Sequence, residues 1–373
     1  MRVLWAQIAE IEEEDKDIQR LRCQVIDPIA DNLGFIQALH YLVFGPPLQA
    51  GQLVLLNMTA IDLGLGTGGL AFVQPNLSFS DYGQMDRHAP ERKDGHIMKL
   101  RYSPLQREVM AVEEPSSLYH ELLRTADSLQ GLPVVCCSLH SQAVLVAAAI
   151  KSCKPEARVV YCMTDEAALL VGLSDVLRAA RTLGLIDACI SCGQAIGGDL
   201  EAVNIYSGLL AAKLACRADY AVCSIGPGVV GTGTAFGHGG LAQAQALNAV
   251  AALGGLPVAT LRLSEADSRP RHLGLSHHSR TVLGRACLAK ALVALPNDIS
   301  AAFLNELREA LKDSGISARH QVVELASQID EIDMRGLRVT SMGRSERDDP
   351  VFFKAALAAG VLAANSMMSA HLA

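Results

Sequence analysis

Between an apolar run, DYAVCSI (219–225), and a helical pattern, LAQAQALNAVAAL (241–253), lies the glycine-rich string GPGVVGTGTAFGHGG (226–240). A strand that opens into glycines ahead of a helix exposes backbone N–H groups at the helix N-terminus, where an anion is readily held. Gly226, Gly228, Gly231, Thr232 and Thr234 are the candidate anion contacts. The string fits GxGxxG, yet Pro227 removes a donor, nine residues separate Gly231 from the helix, and the strand does not open its βαβ unit. It therefore reads as an anion cradle rather than a dinucleotide fingerprint. The alternative is a plain connection of small residues.

A second cluster is Ser276-His277-His278-Ser279, in a loop that also carries Arg269, Arg271, His272 and Arg280. Imidazole suits proton transfer near neutral pH, and Arg271 with its neighbours favours an anionic ligand. Adjacent histidines diverge by about 100° around a helix, which argues against one metal ion taking both His277 and His278. A solvated basic loop is the alternative. His140-Ser141 follows another apolar run, but SLHSQ (138–142) lacks the GxSxG of a nucleophile elbow, and so does GLSHH (274–278).

Gly197 and Gly198, just ahead of Asp199, are further candidate anion contacts at a strand end. Asp199 is placed either to orient a histidine or a metal-bound water, or to cap a helix; Asp165 reads as a cap. The pair Cys189/Cys192 has the CxxC spacing but no second Cys or His pair, so it reads as buried apolar filling. GLGTGG (64–69) precedes the strand-like LAFVQ, which makes it a tight turn.

The elements that must position these residues change character along the chain. Residues 1–115 read as short strands and turns, a β-rich, barrel-like domain that includes VLWAQIAEI, LRCQVI, QLVLLNM and LAFVQ. FIQALHYLVF (35–44) fits a strand or a short helix, and residues 78–95 read as a polar loop. HELLRTADSL (120–129) is expected as a connecting helix. Over 130–373 the rhythm is strand, loop, helix. LPVVCCSL, ARVVYCM, IDACIS, YAVCSI, PVATLRLS, KALVALP, HQVVELA and LRVTSM are the strands, with helical patterns such as TDEAALLVGLSDVLRAARTLG and VFFKAALAAGVLAA between or after them. Near-continuous apolar strands imply burial on both faces, hence a mostly parallel, doubly wound (Rossmann-like) α/β sheet. Its ligand belongs beyond the carboxyl ends of the strands, where His140, Asp199, the glycine tract, Arg271, His277 and His278 all fall.

Bulk properties narrow the field. Half of the 373 residues are apolar and only 4% aromatic, so the core is built from Ala, Val, Leu and Gly. A formal charge of −7 without a basic run argues against nucleic acid, and no apolar stretch is long enough to span a bilayer. Acidic residues stand where a signal peptide would be apolar, and ten cysteines lie mostly in apolar runs, so a cytoplasmic protein is expected. Small-residue helices are compatible with a homo-oligomer. Neither a cofactor nor a metal is specified.

The blocks LLNMTAIDLGLGTGG (55–69), HIMKLRYSPLQ (96–106), SLHSQ, GGDLEAVNIYSGLLAA (197–212), GPGVVGTGT (226–234) and GLSHHS (274–279) resemble the uncharacterised bacterial family called domain of unknown function 3866. The resemblance implies no activity and assigns no residue a role. From the residues themselves the expectation is an enzyme, a hydrolase or group transferase, for a small anionic ligand, phosphorylated or nucleotide-like. In it the tract and Arg271 hold the anion, His140 or His277/His278 move protons and Asp199 orients. A non-catalytic metabolite-binding or regulatory protein is the alternative, and an NAD(P)-dependent oxidoreductase a further one.

Overall fold

A computed structural model describes residues 2–28, 30, 33–64, 69–74, 95–103 and 105–369. The polar loop expected at 78–95 and the centre of the 64–69 turn lie largely outside these residues; Gly64 and Gly69, at the turn's ends, have φ of +60° and +81°. The chain forms two units, residues 1–93 with 103–105, and residues 94–102 with 106–373.

The first unit is a closed five-stranded barrel. Its strands are β1 (Val3–Glu14), β2 (Ile18–Val25), β3 (Phe35–Tyr41), β4 (Leu53–Asn57) and β5 (Ala71–Val73), in the order β1-β2-β3-β5-β4. The segment 35–41, open to either reading, is therefore a strand. Alternation along β1 turns Leu4, Ala6 and Ile8 inward, where they meet Leu21, Cys23, Val54 and Leu56. A four-residue helix, α1 (Thr59–Asp62), follows β4.

In the second unit a hairpin, β6 (Ile97–Lys99) with β7 (Arg107–Val109), and a short helix, α2 (His120–Arg124), precede an eight-stranded sheet. The sheet strands are β8 (Pro133–Cys136), β9 (Val159–Thr164), β10 (Ala188–Cys192), β11 (Leu200–Ala202), β12 (Tyr220–Ile225), β13 (Leu256–Ala259), β16 (Leu292–Pro296) and β17 (Gln321–Leu325). The order is β11-β10-β9-β12-β8-β13-β16-β17 and every pairing is parallel. Between β13 and β16 a two-stranded antiparallel ladder joins β14 (Leu263–Ser264) to β15 (Gly274–Leu275).

Helices cover both faces, each over its own apolar cluster. On one side lie α5 (Ile205–Leu214), α6 (Ala242–Ala252) and α8 (Ala301–Asp313). On the other lie α3 (His140–Cys153), α4 (Asp175–Thr182) and α9 (Pro350–Ser369). The fully buried strands explain the unbroken apolar runs in the sequence. Winding runs outward from β8 to β11, returns to insert β12 between β9 and β8, then reverses through β13. Ligands bind at such a reversal, beyond the carboxyl ends of the strands.

Three stretches depart from the sequence pattern. Residues 165–173 do not extend the helix of α4; their backbone pairs instead with neighbouring loops, Ala168 N–H to Pro227 O and Val171 N–H to Ile196 O, and Ser174 caps α4 by accepting from Leu177 N–H. Asp199 stands just ahead of β11 rather than at a helix start, and Asn204 caps α5. LRVTSM (337–342) forms no strand: Arg335, Gly336 and Met342 take positive φ, and Ser341 closes a turn with Arg344.

Candidate functional site

The loops that leave β12 and β13 meet over the winding reversal. A buried amide network fixes their starting points. Gln142 Oε1 accepts from the N–H groups of Ser138 and Leu139 and from Thr260 Oγ1, while its Nε2 donates to Leu261 O. Gln243 Nε2 donates to the carbonyls of Cys136 and Thr260. The exit of β13 is thereby held against β8, and two residues later the chain delivers Arg262.

Arg262 is 4% exposed. Its Nη1 stands 3.3 Å from His278 Nδ1, and the nearest carboxylate, Asp267, is 3.9 Å from Nη2. Asp267 is engaged elsewhere: it takes Nε and Nη2 of Arg269 at 2.9 and 2.8 Å and Nη2 of Arg344 at 3.2 Å. Burial, then the neighbouring charge of Arg269, pushes the Arg262 guanidinium down to about 10. The Arg269 guanidinium beside it holds Asp267 far below the usual carboxylate range.

Around Arg262 gather four imidazoles. His272 ends a short 3₁₀ turn, His277 and His278 open α7 (His277–Thr281), and His238 precedes the 3₁₀ turn that leads into α6. His238 stacks on His278 with centroids 3.8 Å apart; His277 and His278 are 4.4 Å apart and His272 lies 4.9 Å from His277. The expected divergence of His277 and His278 is thus corrected. Both occupy the first turn of α7, where Cβ bonds tilt back toward the helix start, so the two rings meet ahead of the helix instead of fanning around it. Behind α7 the backbone loosens into a π-helical turn, Val282–Ala286.

Burial, followed by the charges of Arg262 and Arg269, pushes His272 down to about 3. His238, His277 and His278 are lowered too, with burial again the largest cause. Each shift favours the neutral form of the ring. His272 Nδ1 meets Ser276 Oγ at 2.8 Å, whereas Nε2 of His277 is buried without a protein partner.

A pocket of about 120 Å³ opens here, lined by Gly231, Gly233, Arg262, Arg269, Arg271 and the rings of His272, His277 and His278, with Val229, Val230 and Met342 at its sides. Among the described residues that line it there is no acid. A larger concavity of about 570 Å³, between α8 and the β14–β15 ladder, holds no histidine.

Of the residues singled out from sequence, Gly231, Arg269, Arg271, His272, His277 and His278 come together in the pocket. The others stand apart from it. His140 is locked in the fold: Nε2 lies 2.6 Å from Ser174 Oγ and Nδ1 lies 3.1 Å from Tyr161 Oη and 3.2 Å from Ile225 O. Burial pushes it down to about 4. Asp199 pairs with Arg181 and accepts from Cys189 N–H. Gly197 and Gly198 donate to Glu201 and Ser191 Oγ. Gly226 passes so close to the Ala168 carbonyl that no Cβ fits, and Gly228 turns with φ +88°. The Thr232 and Thr234 hydroxyls bond each other at 3.0 Å.

The bare-amide expectation needs correction at Thr232. Thr232 N–H donates to Gly237 O, Gly237 N–H to Thr234 Oγ1, and Gly239 N–H to Val230 O. Those three amides are spent within the tract, and Arg262, Arg269 and Arg271 bring formal positive charge to the pocket. Sequence reasoning missed Arg262 and His238. Each carried a signal, a charge inside an apolar run and an imidazole inside a glycine run.

Fold and pocket together define a two-unit α/β protein with an arginine–histidine pocket at the winding reversal of its sheet. The family described as protein of unknown function (DUF3866) matches residues 37–360, and the chain belongs to that family. No curated protein and no solved structure matches it. Among the described residues, no helix is long and apolar enough to cross a membrane.

Proposed function

We propose that the chain is a cytoplasmic enzyme, a hydrolase or group transferase, acting on a small molecule with an anionic, phosphate-like head. The observation that carries this reading is the buried Arg262, whose nearest carboxylate is already shared by Arg269 and Arg344, facing an acid-free pocket beside Arg271. A buried cation without a close counter-charge costs several kcal/mol, which an oxyanion bridging the guanidinium groups offsets. The volume, about 120 Å³, suits an anionic head group with the rest of the molecule outside. Neutral imidazoles along the same wall supply proton transfer. Ten unpaired cysteines fit a reducing compartment.

The test is thermal unfolding with inorganic phosphate or pyrophosphate. Both ligands raise the Tm of the wild-type chain, and Arg271→Ala removes most of that rise. An unchanged wild-type Tm at millimolar ligand defeats the reading. Turnover of a phosphate ester such as p-nitrophenyl phosphate tests the catalytic half. Binding without turnover of any ester or anhydride makes the chain a ligand sensor instead.

A further inference from the structure

We propose that His272, His277 and His278 form a binding site for one divalent transition-metal ion of the zinc class, loaded together with the oxyanion of the pocket. One ligand nitrogen from each of the three rings falls within 4.8 Å of the others. A tetrahedral ion with metal–nitrogen bonds of about 2.1 Å sets its ligand nitrogens about 3.4 Å apart. The rings therefore need to close by little more than about 1 Å, which side-chain torsions supply without moving the backbone.

Three further observations point the same way. The contact of His272 Nδ1 with Ser276 Oγ leaves Nε2 for the ion, the second-partner arrangement that orients metal-bound imidazoles. His277 Nε2 is buried with no protein partner, and a buried polar atom left so calls for an ion or a water. His238 is stacked on His278 with ring centroids 3.8 Å apart, close enough to offer a fourth imidazole.

The charge balance dictates the co-ligand. Three neutral imidazoles add no negative charge, and Arg262, Arg269 and Arg271 repel a bare dication. An oxyanion between the guanidinium groups and the ion reverses that repulsion and fills the coordination position that three protein ligands leave open. Ion and anion then bind with positive coupling, reciprocal by linkage. This part rests on the anion pocket proposed above; the three-histidine geometry does not.

The experiment is a titration of the chelator-treated, full-length chain with cobalt(II) at pH 7.5, with and without inorganic phosphate, read by the visible d–d absorption of bound cobalt. The expected result is a band that saturates at one equivalent, is abolished by zinc(II), and forms with at least tenfold tighter affinity when phosphate is present. His277→Ala, the least buried of the three substitutions, weakens cobalt binding about 100-fold while urea unfolding of the metal-free chain stays near wild type. His272→Gln does the same if His277→Ala fails to fold. No band in the wild-type chain, or a band indifferent to both substitutions, overturns the metal site. Cobalt binding with no effect of phosphate keeps the metal site and overturns the coupling, while the Tm of the wild-type chain with phosphate decides the anion reading separately. Phosphate stabilisation without any cobalt binding overturns the metal site and leaves the anion reading intact.

Discussion

His238 lies flat against His278, with ring centroids 3.8 Å apart and planes 6° from parallel. Two imidazolium rings repel at that separation, so the stack holds neutral rings and draws the glycine tract onto α7. Gly240 makes room for it: a Cβ there would stand 3.0 Å from His238 Nδ1 and 3.3 Å from His278 Nδ1. Gly240→Ala is expected to part the rings at a cost of about 1–3 kcal/mol and to reduce the phosphate-induced rise in Tm by more than half. Paired melts of wild type and variant, with and without phosphate, check this. An undiminished rise would separate the stack from ligand binding.

Arg262 offers a test in which stability and binding part company. Replacing a buried, poorly paired charge by an apolar side chain of similar length is often neutral or stabilising. Arg262→Met is therefore expected to unfold in urea within about 1 kcal/mol of wild type while losing the phosphate response. A variant that melts far below wild type would identify Arg262 as a structural cation satisfied by Asp267.

His140 should behave as a structural group with a pH signature. Its folded-state pKa of about 4 lies below the unfolded value of about 6.5. As pH falls through 6.5 the unfolded chain takes up the proton first, so the stability contributed by the neutral ring is full above 6.5 and declines toward pH 4. His140→Ala is expected to cost about 2 kcal/mol at pH 7.5. The gap from wild type should narrow as pH falls, by up to about 1.4 kcal/mol per unit. Urea unfolding at several pH values measures it; a gap that widens on acidification would contradict the assignment.

Lys99 is fully buried, its Nζ held by the carbonyls of Ser191 and Ala195 at 3.0 and 2.6 Å and by Glu201 Oε2 at 2.5 Å. It ties the β6–β7 hairpin to the β10–β11 edge of the sheet. Lys99→Met leaves the Glu201 carboxylate without its cation and is expected to cost about 3–5 kcal/mol. Lys99→Met/Glu201→Gln should recover part of that loss. Chemical denaturation of both variants decides the point, and equal stability of single and double variants would count against the ion pair.

The parallel sheet was legible because burial on both faces writes unbroken apolar runs, such as YAVCSI and ARVVYCM, into the chain. Gly231, Arg271, His277 and His278 were legible because they sit in the loops that follow those runs. His140 misled for the same reason: position at a strand end does not reveal that Tyr161, Ser174 and the Ile225 carbonyl enclose it. Arg262 was hidden because a sequence window cannot tell a charge aimed into a pocket from one on a solvated strand. The convergence of His277 and His278 depends on where α7 begins, a boundary that periodicity does not fix.

The amide network of Gln142, Gln243 and Thr260 joins strands that are more than 100 residues apart in the chain, and the pocket wall reaches on to Met342. No fragment ending before the last third of the sequence can assemble it. Occupancy of the pocket is then a readout of completed folding: any ligand that fits withdraws only fully matured molecules from the unfolding equilibrium. A ligand that binds only the folded chain would add to its resistance to unfolding by mass action.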